Sequence, residues 1–206
     1  MLCACLAAPL TAVAQEKHLY LGGGIGGGEV TVTGFAATIG ALPVNATQGV
    51  TRDTAFKIYG GYQINPNWGL EIGYDNLGNR YSITGTAGGV PGSAAYSVEN
   101  VYGAVVGTLP LGETPFSLLG KIGVVRNSAG AASVCGGGAC AGFQGARSRT
   151  QPLFGAGAQY RLPKGFSLRL EAEHYGKATS DDVWGTQAAS GAVNASAWYL
   201  SLRYDW

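Results

Sequence analysis

Arg169, Glu171 and Glu173 stand at two-residue spacing in Phe166-Ser-Leu-Arg-Leu-Glu-Ala-Glu-His-Tyr175, separated by Leu170 and Ala172. A period of two puts the three charges on one face of a β-strand and Phe166, Leu168, Leu170 and Ala172 on the other. Acids and bases this close on one face can form ion pairs, relay protons or line an ion path. The same alternation places Lys57 opposite in phase to Phe56 and Ile58, and Glu71 and Asp75 opposite to Trp68, Leu70, Ile72 and Tyr74. Lys121 alternates with Leu118, Ile122 and Val124, Arg161 with Tyr160, and Arg203 with Leu202 and Tyr204. Setting Glu99 on the charged side would turn Val98, Tyr102, Ala104 and Val106 the other way. The charged face then carries Lys57, Glu71, Asp75, Glu99, Lys121, Arg161, Arg169, Glu171, Glu173 and Arg203, with bases and acids in equal number.

These faces need elements to hold them, and the terminal residues say what kind. Trp198, Leu200, Leu202, Tyr204 and Trp206 form one face of Trp198-Tyr-Leu-Ser-Leu-Arg-Tyr-Asp-Trp206. Such a stripe exposed to water would invite aggregation, whereas facing lipid it is well solvated, with its aromatics suited to the membrane interface. Charged residues make up 12% of the chain, about half the usual share of a soluble domain. A net charge of +1 leaves no basic field for nucleic acid. No apolar run reaches the ~20 residues that a membrane helix requires, so a membrane-spanning chain of this kind must close as a barrel.

Further alternating stretches begin near His18, Phe56, Trp68, Val98, Phe116, Phe154 and Phe166, before the terminal strand. Short turns at Asn65-Pro-Asn67, Pro110–Pro115 and Pro163-Lys-Gly165 alternate with long polar connections near 27–53, 78–96, 127–149 and 177–195. The expected fold is all-β: an eight-stranded antiparallel up-and-down transmembrane barrel, with short periplasmic turns, long extracellular loops and both termini periplasmic. A soluble lipocalin-like barrel would invert the faces. Met1–Ala14 reads as a secretory signal with Ala12-Val-Ala14 as its cleavage site and no basic n-region, which suggests a start codon further upstream. After its removal Cys135 and Cys140 remain, and export to an oxidising compartment makes a disulfide between them the expectation. A metal site would need two more ligands, so none is expected. Gly22–Gly28 reads as small residues in a tightly curved first strand, because no Gly-Lys-Ser/Thr follows for a phosphate loop.

The signal segment, Phe56-Lys-Ile-Tyr-Gly-Gly-Tyr-Gln-Ile-Asn-Pro-Asn-Trp-Gly-Leu-Glu-Ile-Gly-Tyr74 and the aromatic terminus together resemble the OmpA-type transmembrane domain. More broadly they resemble the small eight-stranded outer-membrane barrels. The chain stops at Trp206, so the resemblance implies OmpX-like barrels without a periplasmic peptidoglycan-binding domain. It also implies assembly by the barrel-assembly machinery through the terminal stripe, surroundings of outer-membrane lipid and lipopolysaccharide, and a monomeric state. Loops able to meet an extracellular ligand are a further implication. Eight strands leave a bore only wide enough to be filled by side chains, so the charges are expected to pair as a plug. Pivoting on Pro66 sets Lys57 across from Asp75, and Arg169, Glu171, Glu173 and Arg203 are expected to cluster. The function expected is structural or surface-interaction, with a small passive porin-like channel as the alternative and a lipid A-modifying enzyme third. The deacylase type of such an enzyme uses a His with a Ser two residues later. Here His174 is followed by Gly176, which cannot attack an ester. The expectation is a protein without enzymatic activity or cofactor.

Overall fold

The computed structural model describes residues 18–39, 42–46, 49–78, 81–87, 90–129, 132–136, 139–143, 147–177 and 190–206. The signal segment Met1–Ala14 lies outside them. In chain order the strands are β1 (His18–Ile39), β2 (Leu42–Ala46), β3 (Gly49–Asn65), β4 (Trp68–Asn76), β5 (Tyr81–Ala87), β6 (Val90–Tyr96) and β7 (Val98–Pro110). They continue as β8 (Phe116–Ala129), β9 (Ala132–Gly136), β10 (Ala139–Phe143), β11 (Arg147–Arg161), β12 (Phe166–Lys177) and β13 (Ser190–Asp205).

Eight of these are staves of a closed antiparallel barrel, in the order β1-β13-β12-β11-β8-β7-β4-β3. Closure comes from β1, which pairs with β13 on one side (Leu21 with Tyr204) and with β3 on the other (Leu21 with Gly60). Tight turns close one end. In the first, the Asn65 side-chain oxygen accepts from the backbone N–H groups of Asn67 and Trp68, both at 2.9 Å, while Pro66 fixes its own φ. In the third, Lys164 and Gly165 both take positive φ, 63° and 79°.

Each stave has two solvents. From Phe166 to Tyr175 exposure alternates at every residue, so Ser167, Arg169, Glu171, Glu173 and Tyr175 point into the lumen. Leu168, Leu170 and their neighbours point out. The terminal stripe behaves alike: Trp198, Leu200, Leu202, Tyr204 and Trp206 are all exposed. At the turn end, Phe116 lies tilted against Tyr160 (centroids 4.8 Å apart) and Phe166 against Tyr204 (4.9 Å), an aromatic belt where the apolar band meets the interface.

Tyrosines fill much of the bore, and glycines on the neighbouring stave let them lie flat. Gly61 faces Tyr20 and Gly73 faces Tyr102 across the ladder. A Cβ at either position would stand 2.2 Å and 2.5 Å from those rings.

Two expectations require correction. The connections expected near 27–53, 78–96 and 127–149 are largely strand where they are described, while most of the one expected near 177–195 lies outside the described residues. β1 runs on to Ile39 and β3 begins at Gly49, while β2, β5, β6, β9 and β10 extend the sheet from β1 in the order β2-β5-β6-β9-β10. Val and Thr in these segments favour extended backbone whatever their polarity. Second, β7 has the opposite phase. Val98, Asn100, Tyr102, Ala104 and Val106 are buried inside, and Glu99 is exposed on the outer face near the end of its strand, where water can reach it. Val101, Val105 and Leu109 form the outward band instead, a phase in which Tyr102 fits against Gly73.

Candidate functional site: the charged lumen

The lumen is organised around Lys121 of β8. Its ammonium lies 2.7 Å from Glu71 Oε1 on β4, 3.1 Å from Glu171 Oε1 and 2.5 Å from Glu173 Oε1 on β12. Lys57 of β3 reaches the same Glu173 oxygen at 2.5 Å and Glu171 at 3.8 Å. Arg169 of β12 crosses the bore to Glu71 Oε2 at 2.9 Å through Nη1, while its Nε donates to Gln159 at 3.0 Å. These charges come from four staves, and the side chains of all but Lys121 and Glu171 are fully shielded from water. Desolvated charges are tolerable only when paired and hydrogen-bonded. Glu71 and Glu173 meet that condition several times over. Glu171 is paired with Lys121 through Oε1, whereas its Oε2 has no hydrogen-bond partner among the described residues.

Tyrosines complete the shell. Tyr102 donates to Glu71 Oε1 at 2.8 Å, Tyr20 to Glu71 Oε2 at 3.2 Å, and Tyr175 to Glu173 Oε2 at 2.7 Å. Lys57 also sits over the rings of Tyr59, Tyr102 and Tyr199 at 5.0–5.3 Å, where ring quadrupoles favour a cation. None of these tyrosines carries a formal charge, so a reading that starts from charge passes over them. A signal was nevertheless present: Tyr59 and Tyr175 each stand two residues from a lumen charge, Lys57 and Glu173.

Of the residues expected inward, Lys57, Glu71, Asp75, Lys121, Arg169, Glu171, Glu173 and Arg203 are buried. Glu99 is outside. Arg161 has the inward phase but is exposed at the last residue of β11, at the turn-end mouth. Arg203 does not join the Arg169–Glu171–Glu173 cluster. It pairs with Asp205, donates to Gln63 Oε1 at 3.1 Å and lies 3.6 Å from the Tyr20 ring centroid. Two residues along β13 carry it down to the mouth. There a cavity of about 180 Å³ is lined by Gln63, Gln159, Arg161, Ser167, Arg203 and Asp205 among others. Lys57 does stand across from Asp75 in the β3–β4 register, yet its ammonium turns to Glu173 and forms no ion pair with Asp75.

One polar row lies on the outer surface. Glu29, Ser196 and His174 are successive cross-strand neighbours on β1, β13 and β12. Glu29 stands beyond the serine rather than beyond the histidine, and it is bonded to Arg52 at 2.8 Å. It therefore cannot steady the imidazole in the way a nucleophilic triad requires.

A closed barrel, apolar outside and charged inside, defines an integral protein of the bacterial outer membrane. The chain belongs to the outer membrane protein beta-barrel domain family, whose profile matches residues 1–205. A search of curated proteins finds no significant relative. Among solved structures the chain is similar to OprG of Pseudomonas aeruginosa, with a TM-score of 0.58 at 12% identity, over 92% of this chain and 95% of that one. It is also similar to Ail, the attachment invasion locus protein of Yersinia pestis, with a TM-score of 0.52 at 16% identity, over 93% of this chain and 100% of Ail. Neisserial surface protein A matches with a TM-score of 0.50 at 14% identity, over 90% and 96%. At these identities the likeness is one of fold.

Proposed function

We propose that this protein is a closed, non-enzymatic barrel that displays its outer segments at the cell surface, where they meet an extracellular ligand. The observation that carries the reading is the double bridge to Glu173 Oε1: Lys57 of β3 and Lys121 of β8, three staves apart around the barrel, both lie 2.5 Å from one oxygen. A bore tied across its middle in this way suits a rigid support better than a conduit. The proposal extends to the biogenesis of the chain. Met1–Ala14 acts as the export signal, and the stripe ending in Trp206 is read by the barrel-assembly machinery. The mature protein sits as a monomer among outer-membrane lipid and lipopolysaccharide.

Reconstitution in planar bilayers tests the closed lumen. The expected trace shows no steady ohmic conductance; a steady open level would favour the small passive channel instead. The backbone register sets Cys135 opposite Cys140 in the β9–β10 hairpin, which supports a disulfide between them. Mass spectrometry of the unreduced mature protein is expected to find a cross-linked pair and no free thiol.

A further inference from the structure

At the tight-turn end the lumen opens into the mouth cavity, and the groups around it are unevenly used. Arg161, Ser167 and Arg203 are successive ladder partners on β11, β12 and β13. Ladder position alone would not make the two arginines meet, but all three residues border the same space of about 180 Å³, together with Gln63, Gln159 and Asp205.

The acceptors of this mouth are already engaged. Gln63 Nε2 donates to the carbonyls of Asn65 at 2.8 Å and Trp68 at 3.2 Å, which fixes the amide and leaves its Oε1 to accept from Arg203 at 3.1 Å. Gln159 Oε1 accepts from Arg169 Nε at 3.0 Å, a group that can only donate, so its Nε2 must face Ser167 Oγ, at 3.3 Å. Both oxygens of Asp205 accept from Arg203 Nε, at 3.0 and 3.1 Å. The donors are another matter. Ser167 Oγ accepts from Gln159, so its own hydrogen is available, and among the described residues nothing takes it. Arg203 uses Nε and Nη2, while its Nη1 has no partner there. The Arg161 guanidinium has none either; only its backbone N–H is bonded, to Pro115. Donors cannot satisfy one another, so what this mouth lacks is an acceptor.

Charge points the same way. Two guanidiniums border the cavity against one carboxylate, an excess of one positive charge. Arg203 is buried and held by Asp205, Gln63 and the Tyr20 ring, so it gives up little freedom in making a further bond. Arg161 is exposed at the rim and can swing onto a ligand seated there. A neutral acceptor would use the spare hydrogens and leave the charge, whereas an oxyanion answers both, and the planar fork of a guanidinium matches its paired oxygens. We infer that Arg161, Ser167 and Arg203 form a binding site for a single carboxylate or phosphate group presented from the periplasm, the side that the tight turns of such barrels face. The site lies at the opposite end of the barrel from the segments displayed at the surface and does not depend on their role.

The test is NMR of the full barrel in detergent micelles, with isotopically labelled arginine side chains. Sodium phosphate or sodium acetate is titrated against sodium chloride at constant ionic strength. The Nε–H signals of Arg161 and Arg203 should move along a saturable curve with at least one of the two anions, and the one that binds more tightly tells a phosphate source from a carboxylate source. Arg126, exposed on the outer face and bonded to Ser148, should not respond. Arg161→Gln should weaken the binding read at Arg203 by roughly tenfold or more, the loss of one charge-assisted hydrogen bond. Asp205→Asn removes the competing carboxylate and should tighten it. The absence of a saturable shift with either anion overturns the site, as does an equal shift at Arg126. Undiminished binding in Arg161→Gln, or weakened binding in Asp205→Asn, overturns it as well. Arg161 is exposed and unpaired, so its replacement leaves the barrel able to fold, and the wild-type titration decides the matter on its own.

Discussion

The lipid-facing belt and the lumen are built from alternate residues of the same staves, yet they obey different rules. Along β12, Leu168, Leu170 and Ala172 need only be apolar, because hydrocarbon accepts any such side chain with little regard to its neighbours. Arg169, Glu171 and Glu173, interleaved with them, need named partners on β4, β3 and β8. The belt is specified by composition and the lumen by pairing. Substitutions in the belt should therefore matter according to depth and polarity, and those in the lumen according to which partner they strand.

The strongest break is expected at Lys121. Lys121→Met removes a cation lying within 3.1 Å of Glu71, Glu171 and Glu173. Removing one member of a buried pair costs about 3–5 kcal/mol, because the survivor stays charged in a poor solvent. Lys57 and Arg169 still hold Glu173 and Glu71, which keeps the loss within that range. Adding Glu173→Gln should recover part of it, so a double-mutant cycle read by urea unfolding in vesicles should be strongly non-additive. Additive losses would mean that water, rather than protein, solvates these charges.

The belt gives the next largest effect. Leu200 is half exposed at the middle of the outward face of β13. Leu200→Arg should cost about 2–4 kcal/mol near the bilayer midplane, whereas Leu200→Ile should cost far less. The same pair of substitutions measured in detergent micelles, where an arginine can reach water, should differ by less. Equal costs in vesicles would contradict the placement of this face in lipid.

This difference between the two regions also explains what could be read without coordinates. Alternation identified the outward residues of β3, β4, β8, β12 and β13 because periodicity is a local property, visible within a few residues. It failed on β7, where Val98, Tyr102, Ala104 and Val106 are nearly as apolar as Val101, Val105 and Leu109, and the lone charge, Glu99, was a poor guide because it sits near the end of the strand. Pairing is not local. Pro66 fixes the hairpin that brings Lys57 opposite Asp75, but the choice of Glu173 by Lys57 is made across the bore, over a separation of 116 residues. Nothing along the chain encodes that choice except the geometry of closure. Asn100 and Asn127, both buried, escaped notice for a related reason: a single amide in a strand carries no periodic signal, and their pairing becomes visible only when β7 and β8 lie side by side.

The smallest effect is expected where the lumen meets water. Arg203 and Asp205 are an ion pair like those above, but the Asp205 side chain keeps 26% of its exposure at the mouth, and solvent there competes with the partner. Pairs with access to water typically contribute ~0–1 kcal/mol. Asp205→Asn should therefore change the unfolding free energy by no more than that, since an amide oxygen can still accept from the guanidinium and Gln63 remains within reach of Arg203. The same substitution of charge by amide at Glu71 removes the shared partner of Lys121 and Arg169 and should cost several times as much. Raising the salt concentration should weaken the Arg203–Asp205 pair and leave the enclosed one almost untouched, because ions screen charges that water can reach. A similar loss for Asp205→Asn and Glu71→Gln, or equal sensitivity of both sites to salt, would show that the centre of the bore is as wet as its mouth.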